Sequence, residues 1–256
     1  TAPSSRGRAE RARGRLALLA LGGACLMAGL NAALVRLDIW APVASTRAGD
    51  VHGQLMVLGF LGTLISLERA QALRQNWAYL APALLGLGGL ALLTPAPVLL
   101  GQLLLIEGCA LFVVVYLALW KRAPRPLVAV QVLSAILALG GAVVAVLAGV
   151  VPAVLWLAGF VVLTIAAERA ELAQVFMGPR AEATILWLSV ALTVALASAL
   201  VWPLVGKRLV GIALLACVGW LLARDVVRRH DPRLALDEGV EDVSTELPTG
   251  ETHRAR

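Results

Sequence analysis

The sequence predicts an all-α membrane protein, a polytopic bundle of about eight transmembrane helices. Of its 256 residues, 60% are hydrophobic and only 15% are charged, and the mean hydropathy is +0.85. Soluble domains carry about 25% charged residues, so a soluble enzyme is excluded. Aromatic residues make up only 5% of the chain, whereas glycine occurs 24 times. This composition is typical of closely packed transmembrane helices and not of an aromatic-girdled barrel.

Eight apolar segments approach the length of about 20 residues that a helix needs to cross the hydrocarbon core. They are Leu16–Val35, Val51–Leu67, Trp77–Leu93, Val98–Trp120, Leu127–Val150, Ala153–Ala167, Ala183–Val201 and Leu209–Ala223. Proline lies between the third and fourth segments, at 94–97, and between the fifth and sixth, at 151–152. Since proline ends helices, we expect tight hairpins there. Residues 36–50 form a longer connection, which can build a cap or a docking surface.

Basic residues mark one side of the predicted topology. With the N-terminus inside, 18 of the 22 Lys and Arg residues lie on the inner side. The other four are Arg36, Arg47, Lys207 and Arg208. This asymmetry predicts that both termini are cytoplasmic, in a multi-pass protein of a bacterial inner (plasma) membrane. Because the basic residues cluster at helix ends, they indicate contact with the lipid bilayer and not with nucleic acid.

The predicted organisation has five parts. Residues 1–15 form a basic cytoplasmic N-terminus, 16–120 hold four helices, 121–126 form a cytoplasmic loop, 127–229 hold four more helices, and 230–256 form a tail. The tail carries seven acidic residues and few large apolar ones, which predicts disorder. Cys25, Cys109 and Cys217 stand singly, which indicates packing residues and neither a disulfide nor a thiolate metal site.

Two stretches that lie one hundred residues apart share a pattern. Residues 59–70 read GFLGTLISLERA, and residues 159–170 read GFVVLTIAAERA. The matches extend back to Val51 and Leu55, which correspond to Val151 and Leu155. Because the two copies fall in the second and sixth predicted helices, four helices apart, both cross the membrane in the same direction. The sequence therefore predicts two parallel four-helix repeats, related by an axis along the membrane normal.

Each copy ends in adjacent Glu and Arg residues, Glu68-Arg69 and Glu168-Arg169, at the cytoplasmic ends of the second and sixth predicted helices. We interpret them as structural ion pairs. Either each glutamate pairs with a basic residue of a neighbouring helix while the arginine reaches the head groups, or the two pairs face one another and lock the halves together. The functional alternative is a proton entry point.

Two further polar residues lie where a bilayer makes them costly. Glu107 lies about ten residues, or ~15 Å, into the fourth predicted helix, near the midplane. Gln102 lies five residues before it, toward the outside. The pattern allows an interhelical hydrogen bond from a protonated Glu107, a proton relay, or a residue of a cofactor pocket.

His52 is the one histidine of the predicted membrane region, since His230 and His253 fall in the tail. It opens the second helix on the outer side, and three glycines follow within ten residues, which leaves room for a flat macrocycle. One interpretation is a haem or metal ligand, with Arg47 or Arg36 paired to propionates. The other is an interfacial or capping histidine.

The stretch from Arg47 to Ala70 places an arginine shortly before a histidine that opens helix 2, and a Gly-Phe apolar run after it. It resembles helix II of haem-copper oxidase subunit I and the corresponding helix of the NnrS family, polytopic proteins associated with haem, copper and nitric-oxide stress. The resemblance implies that His52 is an axial haem or copper ligand, with Arg47 beside it. Those proteins have more spans and several intramembrane histidines, so oxidase-type catalysis by this chain alone is not expected.

The sequence thus predicts three candidate functions. The first is a haem- or copper-binding membrane protein in redox or nitric-oxide-related chemistry. The second is a non-catalytic transmembrane subunit that packs with other membrane subunits or in a homo-oligomer, without a cofactor. The third is a small transporter with its site between the halves at Glu107. The chain holds no Walker, GxSxG or HExxH motif, so nucleotide or soluble-type hydrolytic chemistry is not predicted.

Overall fold

The protein is helical along the part of the chain that the structure describes. A computed structural model describes residues 5–43, 45–172 and 179–229, and these residues contain no β-strand. Within them, seven helices are long and apolar enough to cross a membrane. The prediction of an all-α, multi-pass membrane protein is confirmed. The predicted disordered tail, 230–256, lies outside the described residues.

The helices follow one another with short connections. They are α1 (Ser5–Arg36), α2 (Thr46–Gln54), a π-helical segment (Leu55–Gly62), α3 (Thr63–Leu73), a 3-10 turn (Asn76–Tyr79), α4 (Leu80–Ala91), α5 (Val98–Arg122), α6 (Pro126–Leu147), α7 (Val150–Leu172), α8 (Pro179–Val201) and α9 (Pro203–Arg229). The π segment joins α2 to α3, so residues 47–73 form one span. Among the described residues, those up to Leu214 form one compact unit and those from Leu215 onward a second. All contacts described below lie within the first unit.

The third predicted span, Trp77–Leu93, is shorter than a membrane-crossing helix. The 3-10 turn has 4 residues and α4 has 12. At the usual rise per residue they extend about 26 Å, less than the ~30 Å of a hydrocarbon core. The turn beginning at Leu92 and the prolines after it end α4 early. The eighth crossing therefore stays a prediction.

Several helix boundaries differ from the predicted ones. α2 begins at Thr46, so His52 lies in its second turn and does not open the helix. The break between α6 and α7 falls at Ala148 and Gly149, where the φ of Gly149 is +89°. Pro152 instead lies in the first turn of α7, where a missing N–H costs no hydrogen bond. α9 begins at Pro203, so Lys207 and Arg208 lie in its first turns and not in a loop.

Glycines allow α4 to pack closely on two neighbours. A Cβ on Gly88 would lie 2.9 Å from the backbone nitrogen of Leu105 on α5. A Cβ on Gly89 would lie 2.9 Å from the Cα of Gly59 in the π segment. Small residues at such positions let membrane helices gain van der Waals contact along their backbones. This packing holds the π segment, α4 and α5 together.

Arginine side chains tie the helix ends together on both sides of the bundle. At one end, Arg47 of α2 donates to the carbonyl oxygens of Leu92, at 2.9 Å, and of Ala96, just beyond α4. At the other, Arg122 of α5 donates to the carbonyl oxygen of Leu73 at the end of α3, at 2.7 Å. We call the first of these the His52 end of the bundle and the second the Arg69 end, after two residues of the span 47–73. The bonds to Leu92 and Leu73 satisfy carbonyls that a helix end leaves without a partner.

Candidate functional site

The largest group of interacting charges lies at the Arg69 end. Arg69 of α3 forms ion pairs with Glu168 of α7, with Glu68 at 3.6 Å and with Glu171 of α7 at 4.0 Å. The Arg69 side chain is only 11% exposed, whereas Glu68, Glu168 and Glu171 are 67%, 38% and 49% exposed. The guanidinium is therefore buried and its carboxylate partners reach toward the surface. We call these four residues the Arg69 cluster.

Two more helices contribute to this cluster. Gln131 of α6 donates from Nε2 to Oε2 of Glu171 over 3.2 Å. Tyr116 of α5 is fully buried, and the Arg69 guanidinium carbon lies 5.9 Å from its ring centroid, within cation–π range. The hydroxyl of Tyr116 and Nε of Arg69 are buried without a hydrogen-bond partner among the described residues. The arrangement joins α3, α5, α6 and α7 around one cation.

The structure brings together one member of each predicted Glu-Arg pair, but not all four residues. Arg69 contacts Glu168 across the two copies of the repeated pattern. Arg169 is exposed, and no ion pair involves it within the described residues. The link between the copies therefore runs through one arginine. No sequence pattern pointed to Gln131, Tyr116 or Glu171, although Glu171 follows the second Glu-Arg-Ala directly.

A buried hydroxyl pair continues the polar contact between α6 and α7 toward the interior. Thr164 donates from Oγ1 to Oγ of Ser134 over 3.3 Å, and Ser134 donates to the carbonyl oxygen of Gln131 over 3.0 Å. Both buried hydroxyl groups are hydrogen-bonded, which offsets the free-energy cost of placing them in an apolar interior. They stabilise the α6–α7 pair in a fixed register beneath the Arg69 cluster.

At the opposite end, His52 is half-buried on α2, and its Nδ1 lies 2.9 Å from the carbonyl oxygen of Gly29 on α1. A carbonyl oxygen only accepts, so a neutral His52 carries its proton on Nδ1 and a free lone pair on Nε2. The Met56 sulfur packs on Gly29 one turn along, where an added Cβ would displace the flexible Met56 side chain. Histidine ligands in metal sites are commonly oriented by a second hydrogen bond of this kind.

The arginines near His52 are bound to the backbone. Arg47 donates to Leu92 and Ala96, as described above, and Arg36 donates to the carbonyl oxygen of Gly49 over 3.2 Å. Each guanidinium keeps further N–H donors, so these backbone bonds do not by themselves exclude a propionate. Within the described residues, no group of three or more His, Cys, Asp or Glu side chains is placed to hold a metal ion.

Glu107 and Gln102 lie away from both of these groups. Glu107 is exposed on the outer face of α5, because Leu105, Gly108 and Cys109 occupy the packed face. Gln102 is half-buried. Neither side chain forms a hydrogen bond or an ion pair with another described residue. A transport site between the halves would need Glu107 to point inward, and it points outward.

Comparisons with known proteins identify a family for the chain but indicate no ligand or reaction. No curated protein matches it, and no solved structure matches it. A family model matches residues 15–234, which include α2 to α8 and all the site residues described above. The chain belongs to the family described as "Domain of unknown function (DUF8744)".

Proposed function

We propose that this chain is a transmembrane subunit that assembles with a second copy of itself through one face of α5. The observation that carries the proposal is the exposure of Glu107 in the middle of a 25-residue apolar helix. At 1.5 Å per residue, Glu107 lies within about 5 Å of the helix midpoint. An ionisable group that faces lipid at that depth costs several kcal/mol. A partner that hydrogen-bonds to it removes much of that cost.

Glu107 belongs to a regular row of outward-facing residues, which we call the α5 stripe. Its members are alternately three and four residues apart and are exposed or half-buried: Leu100, Leu103, Glu107, Ala110, Val114 and Leu117. This spacing is that of the seam between two closely packed helices in a left-handed supercoil. Ala110, next to Glu107, is small enough to let two backbones approach.

A second copy of the same stripe supplies the missing partner. If a two-fold axis passes near Glu107, the two carboxyl groups face one another. A neutral carboxyl group both donates and accepts hydrogen bonds, so the pair satisfies itself. Lipid covers the leucines as well as a protein does, and the carboxyl pair therefore gives the contact its specificity.

The variant Glu107→Leu is expected to dissociate the dimer. Interhelical hydrogen bonds in membranes contribute about 0.6–2 kcal/mol each, so losing two weakens association by roughly tenfold or more. Glu107→Gln keeps a donor and an acceptor and is expected to remain dimeric. Energy transfer between donor- and acceptor-labelled copies, measured as liposomes are diluted with lipid, reports the dissociation.

Ile165→Ala is the matched control, because Ile165 is also exposed near the middle of a long apolar helix but lies on α7 and not on α5. Its dissociation should equal that of the wild type. A wild-type protein that stays monomeric at every dilution, or a Glu107→Leu variant that associates as tightly as the wild type, contradicts the proposal. Association with a different membrane protein and not with itself would also overturn it.

A second candidate function is haem or copper binding at His52, in redox or nitric-oxide-related chemistry. It is favoured by the Nδ1 hydrogen bond to Gly29, which leaves Nε2 with a free lone pair. That geometry suits a ligand atom, and the Met56 thioether one turn away adds a soft group. Such a site needs a ligand from outside the described residues or a five-coordinate metal.

His52→Ala tests this candidate. We expect purified wild-type protein titrated with haemin to develop a Soret band, or to retain copper at one equivalent, and His52→Ala to lose it because the ligand nitrogen is gone. The matched control is His230→Ala/His253→Ala, which removes the tail histidines only. If the wild type shows neither a band nor stoichiometric copper, or if His52→Ala binds equally well, the candidate is wrong.

We further propose that the chain crosses a bacterial inner membrane eight times, with both termini inside and with two parallel four-helix halves. The close packing around the repeated glycine supports the duplication. A Cβ on Gly59 would lie 3.2 Å from Cys25 on α1 and from Gly89 on α4. A Cβ on Gly159 would lie 3.0 Å from Leu137 on α6 and 2.9 Å from Leu196 on α8. In both copies the glycine packs against the helix that precedes its own and against the helix that follows it.

A further inference from the structure

A cavity opens at the Arg69 end, between α1, the end of α3 and the 3-10 turn. Its volume is about 580 Å³, within the range of small-molecule sites. The lining is mostly polar: Gly14, Arg15, Leu18, Gln71, Arg74, Asn76 and Tyr79. No acidic residue is among them. The cavity is separate from the Arg69 cluster, from His52 and from the α5 stripe.

The two arginines give this cavity a positive charge. Neither Arg15 nor Arg74 forms an ion pair with a described residue. Gln71, Asn76 and Tyr79 add an amide or hydroxyl donor each. The end of α3 contributes a partial negative charge of about one half, which two guanidinium groups outweigh. The lining therefore suits an anion that accepts several hydrogen bonds.

The position of the cavity along the helices corresponds to the level of lipid head groups. Arg15 lies three residues into the span 12–36, and Arg74 follows directly on the span 47–73. Tyr79 and the neighbouring Trp77 are residue types that concentrate at membrane interfaces. Leu18, one turn inward from Gly14 and Arg15, adds an apolar wall on the hydrocarbon side. The backbone conformation of Arg74, with φ of 58°, ends α3 at the cavity.

We propose that this cavity binds the phosphate-bearing head group of an anionic phospholipid. The phosphate accepts from the two guanidinium groups, and arginine pairs with phosphate in a fork geometry. The amides of Gln71 and Asn76 and the hydroxyl of Tyr79 remain for the polar part of the head group. The acyl chains leave past Leu18 into the bilayer. The proposal is independent of the function proposed for α5.

The test compares lipid retention by the full chain after purification with phosphatidylglycerol or phosphatidylcholine. Native mass spectrometry counts the bound lipid. Wild-type protein is expected to retain phosphatidylglycerol preferentially, and Arg15→Gln/Arg74→Gln to lose roughly thirty-fold in that preference, at about fivefold for each arginine. Arg13→Gln/Arg169→Gln is the matched control, because both residues are exposed and neither lines the cavity. It should keep the wild-type preference.

Three outcomes overturn the proposal: equal retention of the two lipids by the wild type, an equal loss in the control variant, or full displacement of phosphatidylglycerol by inorganic phosphate. The last outcome would assign the cavity to free phosphate. If the double variant does not fold, Arg74→Gln alone replaces it, with an expected loss of about fivefold. An unchanged preference in that variant also counts against the proposal.

Discussion

Replacing Arg69 with alanine is expected to lower the free energy of unfolding by about 2–4 kcal/mol. Breaking a buried ion pair typically costs 3–5 kcal/mol because a charge is left without its partner. Here the partners are 38–67% exposed, and water stabilises part of the released charge. The variant also loses the packing of Arg69 on the buried Tyr116 ring. Unfolding in detergent, followed by circular dichroism, measures the difference.

The repeated sequence provides the matched control. Arg169→Ala removes the same residue type at the corresponding position, but Arg169 is exposed and without an ion pair among the described residues. Its expected cost is within about 0.5 kcal/mol. A double-mutant cycle of Arg69→Ala with Glu168→Ala isolates the contact between the copies. Equal stability of the two arginine variants would show that the Arg69 cluster does not hold the helices together.

The second large effect is expected for Gly88→Ala, at about 1–3 kcal/mol of destabilisation. The new Cβ would meet the backbone nitrogen of Leu105 at 2.9 Å and the carbonyl oxygen of Gly101 at 3.0 Å. Backbone atoms cannot rotate away, so α4 and α5 must separate. Alanine favours the helix over glycine by about 1 kcal/mol. The measured destabilisation is therefore the cost of the close contact minus this gain. The measurement is the midpoint of unfolding in detergent.

Gly23→Ala is the companion variant with the opposite expected sign. No atom lies within 4 Å of a Cβ at Gly23 on α1, so only the gain in helix propensity remains, up to about 1 kcal/mol of stabilisation. If Gly88→Ala and Gly23→Ala stabilise the protein equally, α4 and α5 do not pack as closely as described.

The fold class could be predicted from the sequence because hydropathy reports on solvent, and here the solvent is lipid. The breaks at 94–97 and after α1 were also predictable, since proline and polar residues end helices whatever surrounds them. The length of α4 was not, because apolar residues continue beyond Ala91 while the helix ends there. Hydropathy indicates which residues can lie in lipid, but it does not indicate at which residue the backbone hydrogen bonds of a helix end.

For the candidate sites, the sequence predicts how deep a side chain lies along its helix but not the direction in which it points. The sequence predicted the depth of Glu107 and of both Glu-Arg pairs, since a count of residues along a helix gives depth directly. The direction of each side chain depends on which face of the helix is packed, and a helix apolar on every side gives no such signal. The outward direction of Glu107 on α5 could not be predicted for this reason. Nor could the contacts of Arg69 with Gln131, Tyr116 and Glu171, because no pattern links these residues along the chain.

The π segment distinguishes the first copy of the repeated pattern from the second. Its hydrogen bonds reach one residue further than those of an α-helix, so each residue advances less around the helix axis. α7 is an uninterrupted α-helix over the corresponding stretch, Val150–Leu172. The two copies nevertheless bury the same positions at both ends of the pattern, Gly59 with Gly159 and Ala70 with Ala170, while Arg69 is buried and Arg169 is exposed. The neighbouring helices, and not the shared residues, therefore decide which arginine becomes an inner anchor and which an outer charge.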